Sequence, residues 1–223
     1  MKKRLAVTVL IMGVMLVTLS LPCKALAEQK QIKLKMSSPM PPGEISTKHV
    51  VIALAKKIEE ATKGRVKVDV YTGGALGGGA DHYDMVLEGT VDMSYSLQYY
   101  TAGVFPLTTV MELPDLGFAH SRPASFTFWE LYKRLPAFQK EYSKVKVLGL
   151  WTTDACELFK RGKPIRSVGD FKGLKLRAMG PPDAQKIDLL GATPVSMPAP
   201  ELYTSLNKGV VDGMFFSPGA AVS

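Results

Sequence analysis

The chain has 223 residues and a formal net charge of +8 at neutral pH, with 28 Lys and Arg against 20 Asp and Glu. Four of the basic residues and none of the acidic ones lie within the first 27 positions, so the rest of the chain has an excess of +4. This mild excess is compatible with anionic ligands, and no basic run interleaved with aromatic residues marks a nucleic-acid groove. The length is enough to bury a sizeable core in one or two domains.

The N-terminus has the pattern of a secretory signal peptide. Residues 2–4 are basic, Leu5–Leu21 is apolar and uncharged, and small residues of the A-x-A type end at Ala27. We therefore expect residues 1–27 to direct export to the periplasm, with cleavage after Ala27. A retained membrane anchor is disfavoured because the apolar run is short for a span and Pro22 interrupts it. Pro22 also replaces the small residue that lipidation at Cys23 would prefer.

Strands and helices alternate in the first half of the chain. The stretches Ile32–Met36 and Val66–Tyr71 alternate apolar and polar residues, as half-buried strands do. The helix between them has one apolar face, and Gly64 ends it where a left-handed residue is needed. That face consists of Val50, Val51, Leu54, Ala55 and Ile58, and after the second strand come a glycine-rich turn (Thr72–Gly79), a short helix (Asp81–Glu88) and a strand (Val91–Tyr95).

The second half repeats this alternation after a Pro-interrupted stretch. An amphipathic helix near Ala124–Leu135 and a buried strand at Val145–Trp151 come first. Alternating elements then follow as a strand at Leu174–Ala178, a helix at Asp183–Leu190, a strand at Thr193–Met197 and a helix at Pro200–Asn207. The order predicts an α/β fold with mostly parallel strands.

An internal echo predicts two lobes. Glu88–Met93 and Lys208–Met214 both place a glycine after a helix and a Val-Asp pair at the start of a strand. We therefore expect a first α/β lobe at 28–151 and a second at 152–223, with a ligand cleft between them. Because the chain stops at Ser223, directly after a strand-like run and a Ser-Pro-Gly turn, we expect the second lobe to be incomplete.

Motifs for catalysis or metal binding are lacking in the sequence. The glycine-rich turn has neither the Lys-Ser/Thr of a nucleotide P-loop nor the spaced glycines of a dinucleotide site, so a tight connection is the favoured interpretation. Three histidines show no metal-ligand spacing, and no serine lies in a G-x-S-x-G elbow. We expect no cofactor, no metal and no enzymatic activity, and we expect Cys156 to be buried and inert.

Arg177 is the main candidate for a ligand contact. Leu174, Leu176 and Ala178 share one face of the predicted strand, which leaves Arg177 on the other face near its carboxyl end. A guanidinium there can hold a carboxylate through two parallel hydrogen bonds. Taken alone, however, an Arg on a strand is more often solvated or salt-bridged.

Three stretches resemble the DctP family, the extracytoplasmic binding subunits of tripartite ATP-independent periplasmic (TRAP) transporters. They are Tyr71–Gly77 with Glu88–Met93 behind it, Lys172–Arg177, and a run from Leu190 to Gly213. The resemblance implies a two-lobed fold like that of periplasmic binding proteins, closing on its ligand by hinge bending. It also implies delivery to a small and a large membrane subunit. Family members are longer, so the remaining strands and hinge helices are expected to be missing.

The resemblance also assigns residues to the ligand site. Arg177 matches the family's carboxylate-anchoring arginine. Gln98, Tyr99 and Tyr100 follow the first-lobe strand, and the strand after Asp212 carries Met214, Phe215 and Phe216. The aromatic residues among them fit either a ligand wall or the protein core. Many members carry a second basic residue where Glu157 stands here, which argues against a simple dicarboxylate. The expected ligand is thus a small organic acid, such as an aromatic or branched monocarboxylate.

Two other functions remain open at this stage. The chain could be a sensor or scaffold subunit that closes on a ligand and presents its surface to a membrane receptor. An exported enzyme would need a nucleophile or a metal constellation, for which the sequence offers no candidate.

Overall fold

Two small β-sheets organise residues 30–114 and 116–221, the part of the chain that the computed structural model describes. The predicted signal peptide and its cleavage site lie outside the described residues. No helix within the described ranges is long and apolar enough to cross a membrane.

The first sheet contains three parallel strands. They are β1 (Ile32–Ser37), β2 (Val66–Tyr71) and β3 (Met93–Ser94), in the order β2-β1-β3. Helix α1 (Ile52–Ala61) continues from a π-helical turn and connects β1 to β2, and α2 (His82–Leu87) precedes β3. The predicted apolar face of α1 packs on the sheet. The apolar residues of the alternating patterns in β1 and β2 are therefore on the sheet face that this helix covers. The buried residues of this core are Met36, Met40, Val51, Ala55, Val68 and Tyr95.

The segment of the chain between β3 and the second sheet contains helices and a cluster of aromatic side chains. Helix α3 (Ser121–Arg134) matches the predicted amphipathic helix, and α4 (Pro136–Glu141) follows it with a proline in its first turn. Two short 3₁₀ turns precede them, at Gln98–Tyr100 and Thr108–Glu112. Tyr83, Phe105 and Tyr142 form a separate buried aromatic cluster here.

The expected buried strand at Val145–Trp151 is wrong. This segment belongs to neither sheet of the described residues. Val145, Val147 and Leu150 are only partly buried and pack against the aromatic cluster, while Trp151 stacks on Tyr95 with ring centroids 5.3 Å apart. An alternating apolar pattern fits an extended segment lying on a hydrophobic cluster as well as it fits a strand, which additionally needs a hydrogen-bonding neighbour.

The second sheet has four strands. They are β4 (Glu157–Lys160), β5 (Lys175–Ala178), β6 (Thr193–Ser196) and β7 (Gly213–Phe216), in the order β4-β7-β5-β6, with only β4 antiparallel to its neighbour. Strand β4 was not expected from the sequence. Helices α5 (Pro181–Leu189), α6 (Leu202–Asn207) and α7 (Pro218–Ala221) complete this part, with 3₁₀ turns at Val168–Phe171 and Ala199–Glu201.

Each face of the second sheet covers a different core. Leu176 and Ala178 of β5 pack on one face with Ile187 of α5. Met214 of β7 packs on the other face with Leu202 of α6. Because neighbouring residues of a strand point to opposite faces, Arg177 lies on the face of Met214.

The internal echo has the same structural role in both halves. Asp92 Oδ2 accepts a hydrogen bond from the main-chain N–H of Lys35 at 2.7 Å, and the N–H of Asp92 donates to the Lys35 carbonyl at 3.0 Å. Asp212 and Lys175 make the same reciprocal pair at 2.8 and 2.7 Å. Each aspartate thus joins its strand to an inner strand of its own sheet. In the sequence, the strands of the first sheet precede Trp151 and those of the second sheet follow it. The lobe boundary at this residue remains a prediction.

Candidate functional site

Arg177 is fully buried near the carboxyl end of β5. Its Nε donates to the main-chain carbonyl of Met197 at 3.1 Å. Its terminal nitrogens Nη1 and Nη2 have no hydrogen-bond partner among the described residues. A buried guanidinium that is left in this state is costly, because the terminal N–H groups have lost water and gained nothing in return.

The free side of this guanidinium matches a carboxylate. Two terminal nitrogens present parallel N–H groups in the plane of the group, and a carboxylate can accept one on each oxygen. The Nε bond to Met197 fixes the plane of the fork from behind. The arrangement therefore suits capture of an anion.

Phe216 contributes an aromatic surface next to the guanidinium. The Cζ atom of Arg177 lies 5.5 Å from the ring centroid of Phe216, within the range of a cation–π contact. Phe216 is half-buried on the Arg177 face of the sheet. An apolar part of a ligand held by Arg177 would lie beside this ring.

The structure places Phe215 on the opposite face. It packs into the core of Phe171 and Leu176, and the Nζ of Lys186 lies 3.9 Å from its ring centroid. Successive residues of β7 alternate between the faces of the sheet, so Phe215 and Phe216 cannot both face Arg177. Of the two alternatives left open by the sequence, the protein core is the one that holds for Phe215, expected as a ligand contact, whereas Phe216 lies on the side of Arg177.

Tyr99 approaches Arg177 from the first half of the chain. Burial raises the pKa of the Tyr99 hydroxyl well above its ordinary value, and the charge of Arg177 opposes that shift. Its ring contacts Tyr100 edge-on, with centroids 4.6 Å apart. A Cβ at Gly180 would lie 2.8 Å from the Tyr99 carbonyl oxygen, so only glycine permits this approach of the two halves.

Gln98 is directed elsewhere. Its side chain lies close to the Tyr142 hydroxyl, which is 2.8 Å from the Thr108 hydroxyl. Gln98 is therefore a neighbour of the aromatic cluster. Of the residues expected in the site, the structure brings together Arg177, Tyr99 and Phe216.

A family model describes most of the chain. Residues 36–220 match the DctP model, whose description is "Bacterial extracellular solute-binding protein, family 7". This chain belongs to the DctP family. The resemblance inferred from its motifs is confirmed.

Relatives and solved structures agree with the family. A monocarboxylate 2-oxoacid-binding periplasmic protein of Nostoc sp. is 32% identical over 71% of the chain and 43% of that protein. A TRAP solute-binding protein of Rhodoferax ferrireducens with copurified benzoate has a TM-score of 0.78 at 29% identity, over 86% of this chain and 60% of that one. One from Bordetella bronchiseptica with bound mandelate has a TM-score of 0.75 at 31% identity, over 83% and 58%.

The α/β fold of this DctP-family chain is thus that of TRAP periplasmic binding proteins. The chain spans about half the length of the curated relatives it matches. Two of these relatives are described as periplasmic binding proteins, which agrees with the extracytoplasmic location of the family.

One acidic side chain shares the sheet face of Arg177 in this DctP-family chain. Glu157 of β4 is paired with Phe216 of β7, which puts its exposed carboxylate on that face. Asp183 belongs to α5, which packs on the other face; it accepts a hydrogen bond from the Met179 N–H at 3.0 Å and lies 2.6 Å from the Nζ of Lys186. Arg177 is thus a buried cation whose own face of the sheet also carries an exposed carboxylate.

Cys156 is exposed, so the expectation of a buried cysteine is wrong. It directly precedes β4, an edge strand that was not expected from the sequence, and edge positions leave side chains open to solvent. The surrounding protein raises the pKa of its thiol by desolvation, while Lys186 acts in the opposite direction.

Sequence reasoning also missed the groups that hold the site in place. Met197 acts through its carbonyl, which any residue would supply, so no side-chain pattern could reveal it. Tyr100 was expected only as a further aromatic residue beside Tyr99, and its hydrogen bond to Ala199 in the second half has no signal in the sequence.

Proposed function

We propose that this chain is the extracytoplasmic solute-binding protein of a TRAP transporter and captures a small organic acid through Arg177. The observation that carries the proposal is a fully buried guanidinium whose two terminal nitrogens are unpartnered among the described residues. A bound carboxylate would supply the missing acceptors and the missing negative charge at the same time. The protein would then deliver the acid to a small and a large membrane subunit.

The proposed ligand class is a monocarboxylate with an apolar, preferably aromatic, body. Phe216 and Tyr99 offer aromatic surface beside the guanidinium. Glu157, on the same sheet face, would repel a second negative charge on the ligand. Benzoate and mandelate, which occur in two of the similar structures, fit this description.

Binding without chemistry accounts for the site. Its polar groups point at where an anion would sit, and none is paired with a base that would activate it. We therefore propose a transport protein, not an enzyme, exported by residues 1–27 and active in the periplasm. A sensor or scaffold subunit for a membrane receptor is the alternative, and ligand capture by itself is common to both.

A thermal-shift screen tests the binding step. The protein is expressed with its leader, purified from the periplasmic fraction and heated with benzoate, mandelate, 2-oxoacids and dicarboxylates. We expect a monocarboxylate to raise the melting temperature, and we expect Arg177→Ala to abolish the shift. The control Arg122→Ala removes an exposed arginine and should retain the ligand-induced increase in melting temperature. If Arg177→Ala retains the full shift, Arg177 is not the anchor.

Transport requires a second experiment. The purified protein is added to vesicles that contain the two membrane subunits and an ion gradient, and uptake of the labelled acid is measured. Uptake that depends on the added protein supports the transporter role. Binding without any stimulated uptake favours the sensor or scaffold role.

A further inference from the structure

Tyr100 links the first half of the chain to the segment that holds Arg177. Its hydroxyl accepts a hydrogen bond from the main-chain N–H of Ala199 at 3.2 Å, across 99 positions of sequence. Ala199 opens the 3₁₀ turn that follows β6, and its side chain packs against the core of the first sheet. The two halves are therefore joined at this point by both a polar and an apolar contact.

The ring of Tyr100 lies in a notch at Gly79. A Cβ added to Gly79 would lie 2.5 Å from the ring, which is closer than any side chain tolerates. Gly79 ends the glycine-rich turn, so this turn serves a close approach of a neighbouring ring. The Tyr99 ring also contacts the Tyr100 ring edge-on, with centroids 4.6 Å apart. These contacts fix the position of the Tyr100 hydroxyl.

Only Pro198 separates the two hydrogen bonds of the opposite segment. The carbonyl of Met197 accepts from Arg177 Nε, and the N–H of Ala199 donates to Tyr100. These groups belong to the two peptide units that flank Pro198, whose ring locks its φ, here −69°. A shift of one peptide unit is therefore transmitted to the other.

We infer that Tyr100 is a positioning residue of the ligand site, acting through Ala199, Pro198 and Met197 on the orientation of the Arg177 guanidinium. This inference rests on the proposed function. With the Tyr100 hydrogen bond in place, Met197 holds the fork in the plane that a carboxylate requires. Without it, the segment is free to turn and the two terminal nitrogens lose their alignment.

The decisive variant is Tyr100→Phe, which keeps the ring in the Gly79 notch and removes only the hydroxyl. Affinity for the acid found in the thermal-shift screen is measured by calorimetry, again on protein from the periplasmic fraction. We expect a loss of about tenfold, the usual effect of one hydrogen bond of this kind. Tyr203→Phe, at a residue that is 77% exposed on α6, is the matched control and should bind as the wild type does.

Hydrogen exchange separates positioning from a general loss of structure. In the wild type the acid should slow exchange of the Ala199 amide, and in Tyr100→Phe this ligand-dependent protection should disappear while the strands of both sheets keep theirs. A second variant, Pro198→Gly, keeps the hydroxyl but releases the φ angle and should weaken binding similarly. It decides the matter if Tyr100→Phe does not fold.

The outcomes distinguish the two proposals. Normal affinity of Tyr100→Phe and Pro198→Gly, together with loss of binding in Arg177→Ala, would overturn this inference and leave the proposed function intact. A wild-type protein that binds none of the acids would overturn both.

Discussion

The Nδ1 atom of His82 lies 2.9 Å from the hydroxyl oxygen of Ser94, which joins α2 to β3 inside the first sheet's half. His82 is fully buried, and burial lowers its pKa below the ordinary value of 6.5. The neutral imidazole is therefore the form that the folded protein contains near neutral pH.

Stability should consequently fall with acid. As the pH falls through 6.5, the unfolded chain protonates His82 to a greater extent than the folded chain, whose His82 pKa is lowered. The free energy of unfolding therefore decreases, by at most about 1.4 kcal/mol per pH unit. Urea unfolding between pH 7 and pH 5 measures this slope. His82→Gln should flatten it and His49→Gln, at an exposed site, should not. An equal slope in all three proteins would contradict the prediction.

Replacement of Arg177 by methionine should separate stability from binding. Arg177→Met removes a buried charge with unpartnered nitrogens and fills the space with an apolar chain. We expect the melting temperature of the ligand-free protein to stay equal or rise, since apolar replacements of buried charges are often neutral or stabilising. Calorimetry should show no acid binding. A large drop in the ligand-free melting temperature would indicate that Arg177 is structural.

The two echo aspartates should contribute to stability to a similar extent. Asp92→Ala and Asp212→Ala each remove one charged acceptor from a strand N–H, that of Lys35 within β1 or of Lys175 at the start of β5. Each should cost about 1–2 kcal/mol of unfolding free energy. Asp212→Asn retains an acceptor oxygen and should lose less. Urea unfolding measures the three values, and a loss confined to one half would argue against equivalent roles.

A methyl group at Gly213 should disrupt the edge of the second sheet. Its Cβ would lie 2.5 Å from the Phe159 carbonyl oxygen and 3.1 Å from Lys160 Cα, both backbone atoms of β4. We expect Gly213→Ala to cost about 1–3 kcal/mol. Gly43→Ala, where nothing lies within 4 Å, is the control and should change the melting temperature little. Equal melting temperatures would contradict this packing.

Cys156 should react with a thiol reagent in the native protein because it is exposed. The reaction with a maleimide at pH 7 should nevertheless be slower than in the unfolded chain, since desolvation raises the thiol pKa and lowers the fraction of thiolate. Mass spectrometry follows the labelling, and Cys156→Ser provides the blank. Native labelling as fast as that of the unfolded chain would refute the effect of the surroundings.

Local patterns in the sequence determined the regular elements around the site. The alternation in Val66–Tyr71 and the placement of Leu174, Leu176 and Ala178 predicted β2 and β5 and put Arg177 on the other face of its strand. These predictions succeed because the alternation of side chains along a strand and the apolar face of a helix depend only on residues that are close together in the sequence. The DctP motifs likewise lie in short consecutive stretches, so the family was evident before the fold.

Tertiary structure decided which of these elements meet. Val145–Trp151 has the pattern of a strand but lies along an aromatic cluster, and Phe215 follows the same motif as Phe216 but faces a different core. The bond from Tyr100 to Ala199 and the Met197 carbonyl behind Arg177 join residues that no local period relates. The sequence by itself determined that an arginine lies near the end of a strand, opposite its apolar face. Only the folded chain decided what surrounds that arginine, because long-range contacts depend on how the sheets pack and not on the spacing of residues along the chain.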